Sequence, residues 1–155
     1  MKKKILILSG GVSKERLISL DTGFQVAKEL KKNGYKIKIS EPDNSLAKKI
    51  KQFKPEVIFN ALHGQFGEDG YIQTILETTG IPYTHSGVIA SAIAMDKELS
   101  KKIFKQNGIR TPKFISYTFN LSKEDLKSLL APVYQEAYQA KGKPKGHFFS
   151  RLLKQ

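Results

Sequence analysis

Short apolar runs alternate with helix-length segments along residues 1–117, and this alternation limits the possible folds more than any other feature of the sequence. The runs are residues 5–8 (Ile-Leu-Ile-Leu), 35–39 (Tyr-Lys-Ile-Lys-Ile) and 57–59 (Val-Ile-Phe). A continuous apolar run is typical of a strand that is covered on both faces. Strands joined by helices of ten or more residues form right-handed crossovers, so we predict an α/β fold with a parallel sheet.

The segments between these runs carry apolar residues at helical spacing. The first predicted helix ends at Asn33-Gly34, and its apolar stripe consists of Leu17, Leu20, Phe24, Ala27 and Leu30. Further helices are predicted around residues 46–53, 71–79, 87–95 and 99–106, with a short extended segment at 81–84. Beyond these, the pattern predicts a strand at 114–119, a helix at 121–130 capped by Ser122, and a basic loop at 141–147.

Composition excludes several classes of protein. The chain has 155 residues and no Cys, so it has neither a disulfide framework nor a thiolate metal site. No apolar run approaches the ~18 residues of a membrane span, so we expect a cytoplasmic protein without a membrane partner. The net charge is +13, but only three of the 27 basic residues are Arg. Because base recognition favours Arg, we expect a solvated lysine-rich surface and no specific nucleic-acid partner.

Loops at the carboxyl ends of the strands are where a parallel sheet binds ligands. The predicted loops are residues 9–15, 60–70 and 84–87. In the first, Gly10 and Gly11 allow a tight turn, but their spacing is not that of a dinucleotide-binding fingerprint. Glu15 follows them at the start of the helix, where it either complements the helix dipole or receives a substrate ammonium group.

The segment from His63 to Gly70 (His-Gly-Gln-Phe-Gly-Glu-Asp-Gly) combines three glycines with a histidine and two acids. This pattern favours a ligand-binding loop, because a structural turn needs only one or two glycines. A glycine-rich turn with solvated acids is the alternative, and a metal site is weaker because one histidine and two adjacent acids give poor geometry. On the pattern alone, Lys97 is a solvated lysine, and His85 and His147 are surface residues without an identifiable partner.

Five stretches of the sequence together resemble the D-alanine–D-alanine ligases. Their order and spacing agree over residues 3–117, and the combination is very specific. The stretches are Gly10-Gly11-x-Ser13-x-Glu15-Arg16-x-Ile18-Ser19-Leu20, His63-Gly64-x-x-Gly67-Glu68-Asp69-Gly70-x-x-Gln73, Leu76-Glu77-x-x-Gly80-Ile81-Pro82-Tyr83-Thr84, Ser91-Ala92-x-Ala94-Met95-Asp96-Lys97 and Lys101-x-x-Phe104-x-x-x-Gly108-Ile109-x-Thr111-Pro112.

The resemblance implies a Rossmann-like, pre-ATP-grasp sheet with flanking helices. It also implies an enzyme that joins two D-alanines for peptidoglycan precursor synthesis, using ATP and Mg²⁺ or Mn²⁺. By resemblance, Glu15 holds the ammonium group of the first D-alanine, and His63 and Gly64 lie beside that substrate's carboxyl end. Glu68 orients this loop, and Lys97 reaches the nucleotide phosphates. An acid suits an ammonium group, and cations suit the oxyanions of phosphoryl and acyl transfer.

After residue 118 nothing in the sequence resembles the ATP-grasp unit of the family, with its phosphate-binding loop and acidic metal ligands. We therefore expect an N-terminal α/β lobe (1–97), a helix and strand leading toward that unit (98–118), and an unmatched basic tail, helical or irregular (119–155). The expectation is a truncated lobe, inactive alone, that forms a homodimer or acts with a complementing ATP-grasp polypeptide. A non-catalytic α/β module that binds a small ligand is the main alternative, and a basic nucleic-acid-associated domain is the other.

Overall fold

The structure, a computed structural model, describes residues 3–114 together with residues 122, 124, 125, 128 and 131. The chain divides into two compact units, Met1–Ser100 and Lys101–Gln155. In the described part, strands and helices alternate as predicted. The strands are β1 (Lys4–Leu8), β2 (Lys36–Ser40) and β3 (Val57–Asn60), and the helices are α1 (Arg16–Lys32), α2 (Leu46–Phe53), α3 (Tyr71–Glu77), α4 (Val88–Met95) and α5 (Lys97–Gln106).

The three strands form one parallel sheet in the order β2-β1-β3, with β1 in the middle. Ile7 of β1 pairs with Ile39 of β2 and with Phe59 of β3. The predicted α/β fold with a parallel sheet is therefore confirmed. Because the strands are parallel, the loops that follow them leave the sheet at the same edge.

The side chains of β1 alternate between two apolar clusters, as the period of a strand requires. Leu6 and Leu8 pack in a cluster of the buried residues Leu6, Leu8, Leu46, Ile50, Ile58, Leu62, Ile72 and Leu76. Ile5 and Ile7 pack in a second cluster with Ala27 and Ala61. A fully buried Leu or Ile side chain contributes roughly 1.5–3 kcal/mol. The buried strand β1 therefore fixes the starting point of the glycine loop that follows it.

The inward face of α1 agrees only in part with the predicted apolar stripe. Leu17 and Phe24, predicted to lie in the core, are 78% and 61% exposed. Of the predicted stripe, Ala27 is buried and Leu30 packs against the second cluster. The other buried residues of the helix are Ser19 and Gly23. A Cβ atom on Gly23 would lie 2.5 Å from the Cβ of Ser9. The helix thus approaches the end of β1 more closely than a face of large side chains would permit.

The extended segment predicted at 81–84 is confirmed, and it runs along β3. Ile58 of β3 forms a parallel bridge with Tyr83. The Ile58 N–H donates to the Pro82 carbonyl at 2.9 Å, and the Thr84 N–H donates to the Ile58 carbonyl at 3.0 Å. The Tyr83 hydroxyl donates to Glu77 Oε1 at 3.0 Å, and burial together with this hydrogen bond raises the pKa of Tyr83. The 84–87 loop therefore leaves from the same edge of the sheet.

Several expectations concern residues outside the described part. They include most of the strand at 114–119, the basic loop at 141–147, His147 and most of the tail. The domain boundaries after residues 97 and 118 stay predictions. The predicted cap at Ser122 is confirmed, because the Asp125 N–H donates to Ser122 Oγ at 3.1 Å. Among the described helices, none combines the length and the apolar character that crossing a bilayer requires.

Candidate functional site

The turn after β1 depends on two glycines in the left-handed region. Gly10 and Gly11 have φ values of 90° and 82°. The Gly10 N–H donates to Ser19 Oγ at 2.8 Å, and the Gly11 N–H donates to Glu41 Oε2 at 3.1 Å. A Cβ on Gly10 would lie 2.6 Å from the same Glu41 oxygen. The turn therefore needs glycine for both its conformation and its close contact with Glu41.

Glu41, just after β2, ties the β1–α1 loop to the neighbouring strand. Its Oε1 accepts a hydrogen bond from the Arg16 guanidinium at 2.5 Å, while its Oε2 accepts the Gly11 N–H. The Arg16 hydrogen bond, followed by the Gly11 hydrogen bond, lowers the pKa of Glu41. Both side chains are partly exposed, so the pair adds orientation more than stability.

Two buried amides hold the loop that runs from His63 to Gly70. Asn60 Nδ2 and Gln73 Nε2 both donate to the Gly67 carbonyl, at 3.0 Å and 2.9 Å. Asn60 Oδ1 also accepts the Leu62 N–H at 3.1 Å. The Oε1 of Gln73 is buried and has no hydrogen-bond partner among the described residues. A Cβ on Gly67 would lie 2.6 Å from the Cβ of Leu62, so the loop folds back tightly on the end of β3.

The two acids of this loop bind its own backbone. Glu68 Oε2 accepts the Gly64 N–H at 2.8 Å. Asp69 accepts the Phe66 N–H at 2.8 Å and the Tyr71 N–H at 3.1 Å, which joins the loop to the first turn of α3. Glu68 is exposed and Asp69 is half-buried. Both determine the shape of the loop, which the alternative of merely solvated acids does not account for.

The two loops meet between Glu15 and Gly64. Ser13 Oγ donates to the His63 carbonyl at 2.7 Å and accepts the Glu15 N–H at 3.1 Å. An added Cβ on Gly64 would lie 2.5 Å from Glu15 Oε2, so this carboxylate packs against the glycine. Glu15 is the N-cap residue of α1, yet its side chain makes no capping hydrogen bond. Its position at Gly64 favours the ligand-binding interpretation over a purely helical role.

His63 lies between α1 and the loop's own acid. Its Nε2 is 3.1 Å from Thr22 Oγ1, and its Nδ1 is 3.8 Å from Glu68 Oε1, which is too long for a hydrogen bond. The His63 side chain is 33% exposed, so a ligand can reach it. Of the five candidate residues, Glu15, His63, Gly64 and Glu68 therefore lie together.

Lys97 does not join this group in the described structure. It is the first residue of α5, whose N-terminus is capped by Asp96, because Asp96 Oδ1 accepts the N–H groups of Glu98 and Leu99 at 3.0 Å and 2.9 Å. Neither a hydrogen bond nor an ion pair links Lys97 to Glu15 or His63 within the described residues. Nothing in the described geometry distinguishes it from a solvated lysine.

The prediction that His85 lies at the surface is confirmed, and the structure adds a partner that the sequence could not identify. His85 Nδ1 lies 3.2 Å from Asn60 Nδ2, and its backbone has a positive φ of 85°. Asn60 is fully buried at the end of β3. His85 thus extends the polar network of Asn60 to the segment after Tyr83, although its side chain stays at the surface.

A cavity of about 410 Å³ opens beside the site and shares His63 with it. Its walls come from the glycine turn, the β2–α2 connection, the His63–Gly70 loop and α3, and most of its lining side chains are apolar, including Val12, Phe66 and Tyr71. Phe66 and Tyr71 meet edge to face with their ring centroids 5.1 Å apart. The volume is within the usual range of ligand pockets.

Sequence reasoning missed the side chains that support this site. Thr22, Asn60 and Glu41 were not singled out, and Ser13 and Gln73 entered only as parts of the family motifs. The available signal was a polar residue at a buried or strand-end position, such as Asn60 directly after an apolar run. In the described part of the chain, no group of three or more His, Asp or Glu side chains can hold a metal ion.

Comparisons with known proteins agree with the motifs. A family model described as the D-ala D-ala ligase N-terminus matches residues 38–86. The D-alanine–D-alanine ligase of Pelagibacter ubique is 72% identical over 130 residues, covering 84% of this chain and 43% of the relative. That of Carboxydothermus hydrogenoformans is 42% identical over 141 residues, covering 86% and 45%. Both matches are longer than the stretch 3–117 in which the motifs lie.

A solved structure agrees as well. The D-alanine–D-alanine ligase from Bacillus anthracis complexed with ATP is 37% identical, with a TM-score of 0.69 over 83% of this chain and 43% of that protein. The chain thus spans less than half the length of these three proteins. On the identity to the Pelagibacter and Bacillus proteins and on the shared fold, the chain carries the N-terminal domain of the D-alanine–D-alanine ligase family.

Proposed function

We propose that this chain supplies the amino-acid-binding domain for the ATP-dependent joining of two D-alanines. The observation that supports this most is that the loop carrying Glu15 packs against the loop carrying His63. The Glu15 carboxylate packs against Gly64, and Ser13 links the two loops through the His63 carbonyl. An acid and an imidazole on adjoining loops at the carboxyl edge of a parallel sheet suit a small zwitterionic amino acid.

In this proposal Glu15 holds the ammonium group of the first D-alanine. A hydrogen bond to a charged group contributes about 1.5–3 kcal/mol, which is enough to orient a small substrate. His63 lies beside the carboxyl end of that D-alanine, where the phosphoryl group of ATP arrives and the amine of the second D-alanine attacks. Gly64 leaves room for the Glu15 carboxylate, and Glu68 orients the loop through the Gly64 N–H.

In this proposal the metal and all contacts to ATP other than that of Lys97 lie outside the described residues. The described residues do not fit Mg²⁺ or Mn²⁺, because they contain no group of three carboxylates or imidazoles, and we derive no step through the metal. Lys97 contributes one cation to the ATP phosphates, whereas phosphoryl transfer needs a full electrostatic cradle. In this proposal an ATP-grasp unit supplies the cradle. The assembly acts in the cytoplasm, and the chain either forms a homodimer or pairs with a complementing ATP-grasp polypeptide.

The test is a titration of the ¹⁵N-labelled chain with D-alanine, followed by NMR. We expect the backbone signals of Glu15 and Gly64 to shift on adding D-alanine and to shift less with L-alanine. In Glu15→Gln the apparent affinity should fall roughly 10- to 100-fold, the equivalent of one charged hydrogen bond. Glu29→Gln changes another exposed acid of α1 and should leave the affinity unchanged. Equal binding by the Glu15→Gln and Glu29→Gln variants contradicts the proposal.

A small-ligand-binding module without catalysis is the second candidate. The observation in its favour is that the described residues contain no metal-binding group. The two are separated by incubating the 155-residue chain with ATP, Mg²⁺ and D-alanine, alone and with the purified remainder of a related ligase. Phosphate release that requires the remainder supports the ligase domain, while D-alanine binding without release in either mixture supports the module.

A further inference from the structure

The hydroxyl group of Thr22 lies between a backbone carbonyl of α1 and the ring of His63. Thr22 Oγ1 lies 2.9 Å from the carbonyl oxygen of Ile18 and 3.1 Å from His63 Nε2. The Ile18 carbonyl is one turn earlier in α1 and can only accept hydrogen bonds. A hydroxyl group has a single proton, so Thr22 can donate to one of these two neighbours and not to both.

The carbonyl contact decides between them. If Thr22 donated to His63 Nε2, its oxygen would face the Ile18 carbonyl oxygen at 2.9 Å with no proton between the two lone pairs. If Thr22 donates to Ile18 instead, its oxygen accepts the N–H of His63 Nε2, and both contacts are hydrogen bonds. A threonine hydroxyl in a helix commonly bonds the carbonyl four residues earlier, which favours the same arrangement.

We propose that Thr22 is a positioning residue that holds neutral His63 in the Nε2–H tautomer. Nδ1 then carries the lone pair and faces Glu68, whose Oε1 lies 3.8 Å away. The other oxygen of Glu68 is already engaged by the Gly64 N–H at 2.8 Å. The ring is therefore fixed on one side by α1 and faces the loop's acid on the other.

This arrangement makes Nδ1 the nitrogen that is available to a ligand. Nε2 is hydrogen-bonded to Thr22, whereas Nδ1 has no hydrogen-bond partner among the described residues. A neutral His63 consequently offers an acceptor at Nδ1, and it becomes a donor there only after taking up a proton beside Glu68. That this nitrogen meets the substrate rests on the proposed function, whereas the tautomer rests on the contacts of Thr22 alone.

The test is a long-range ¹H–¹⁵N spectrum of the histidine rings in the full chain at about pH 8, where histidines are ordinarily neutral. The signals of His63 are identified by their loss in His63→Asn. We expect a protonated-type shift at Nε2 and an unprotonated-type shift at Nδ1. In Thr22→Val, which is similar in shape but has no hydroxyl, the two shifts should move toward each other as the tautomers mix.

Thr22→Ser is the control, because it keeps the hydroxyl and should restore the Nε2–H pattern. Thermal unfolding of all three proteins shows whether the valine variant still folds. The proposal is overturned if His63 has its proton on Nδ1, or if Thr22→Val gives the same ring shifts as the unchanged chain. A D-alanine titration of the same samples separates the two proposals. Failure of the unchanged chain to bind D-alanine contradicts the proposed function and leaves the tautomer intact.

Discussion

Asn60 and Gln73 both donate to the Gly67 carbonyl, yet replacing each of them should have very different consequences. We compare Asn60→Leu with Gln73→Met, since each exchanges a buried amide for an apolar side chain of similar size. Both residues are fully buried, so solvent cannot replace a lost hydrogen bond without local opening. The difference between the two variants therefore measures what each amide does beyond its shared bond to Gly67.

Asn60→Leu leaves a buried group without a partner. The Leu62 N–H loses its acceptor, which costs about 1–3 kcal/mol, and one hydrogen bond to Gly67 is lost, which costs about 0.5–1.5 kcal/mol. His85 is exposed and can bind water instead. The free energy of unfolding should fall by about 2–4 kcal/mol.

Gln73→Met removes one of the two hydrogen bonds to the Gly67 carbonyl, and the bond from Asn60 remains. It also removes Oε1, a buried acceptor without a partner among the described residues. Removing an unsatisfied polar atom offsets the lost bond, so the cost should be only about 0–1 kcal/mol.

Urea unfolding, monitored by circular dichroism with equal m-values required, measures both changes. A cost for Gln73→Met that equals or exceeds that of Asn60→Leu refutes the reasoning. It would mean that Gln73, and not Asn60, is the main support of the loop.

Three further predictions address the loops and the charge. Glu41→Gln should lower the free energy of unfolding by less than about 1 kcal/mol at neutral pH, because the pair with Arg16 is partly exposed. Since the Glu41 pKa is lowered in the folded chain, this difference should vanish as the pH falls through that pKa. Urea unfolding from neutral to acidic pH measures it. Gly64→Ala should lower the free energy of unfolding by about 1–2 kcal/mol because of its positive φ, and it should also displace the Glu15 carboxylate. Gly80→Ala is the control: it has a similar φ and no atom within 4 Å of the added Cβ, so it should show the cost of the strain alone and retain D-alanine binding. Nucleic-acid binding, measured by fluorescence anisotropy, should weaken steeply between ~50 and ~200 mM salt and show no sequence preference; binding that survives the higher salt would contradict a purely electrostatic origin.

Most of the fold can be predicted from the sequence because its main elements are local patterns. The apolar run of β1 and the glycines that follow it identify a buried strand and a strand–helix turn without any knowledge of distant contacts. The face of α1 could not be predicted in the same way. Its inward residues, such as Ser19 and Gly23, are small or polar, and hydrophobic periodicity therefore points instead to Leu17 and Phe24, which are exposed.

The residues of the candidate site likewise differ in whether the sequence alone can identify them. Glu15 and His63 are visible in the sequence because unusual residue types follow strand ends, where a parallel sheet gathers its loops. Thr22 and Asn60 are ordinary residues in ordinary patterns, and only the close packing of α1 and β3 against the His63–Gly70 loop brings them into contact with it. Such roles depend on distances between elements, which a single sequence does not contain.

A crystal structure of the chain soaked with D-alanine tests the central claim most directly. The account predicts that the ammonium nitrogen lies within hydrogen-bond distance of the Glu15 carboxylate, about 2.7–3.0 Å, with the carboxyl end of the amino acid toward His63. D-alanine bound only in the neighbouring cavity between Val12 and Phe66, or its absence from Glu15 at saturating concentration, would contradict the claim.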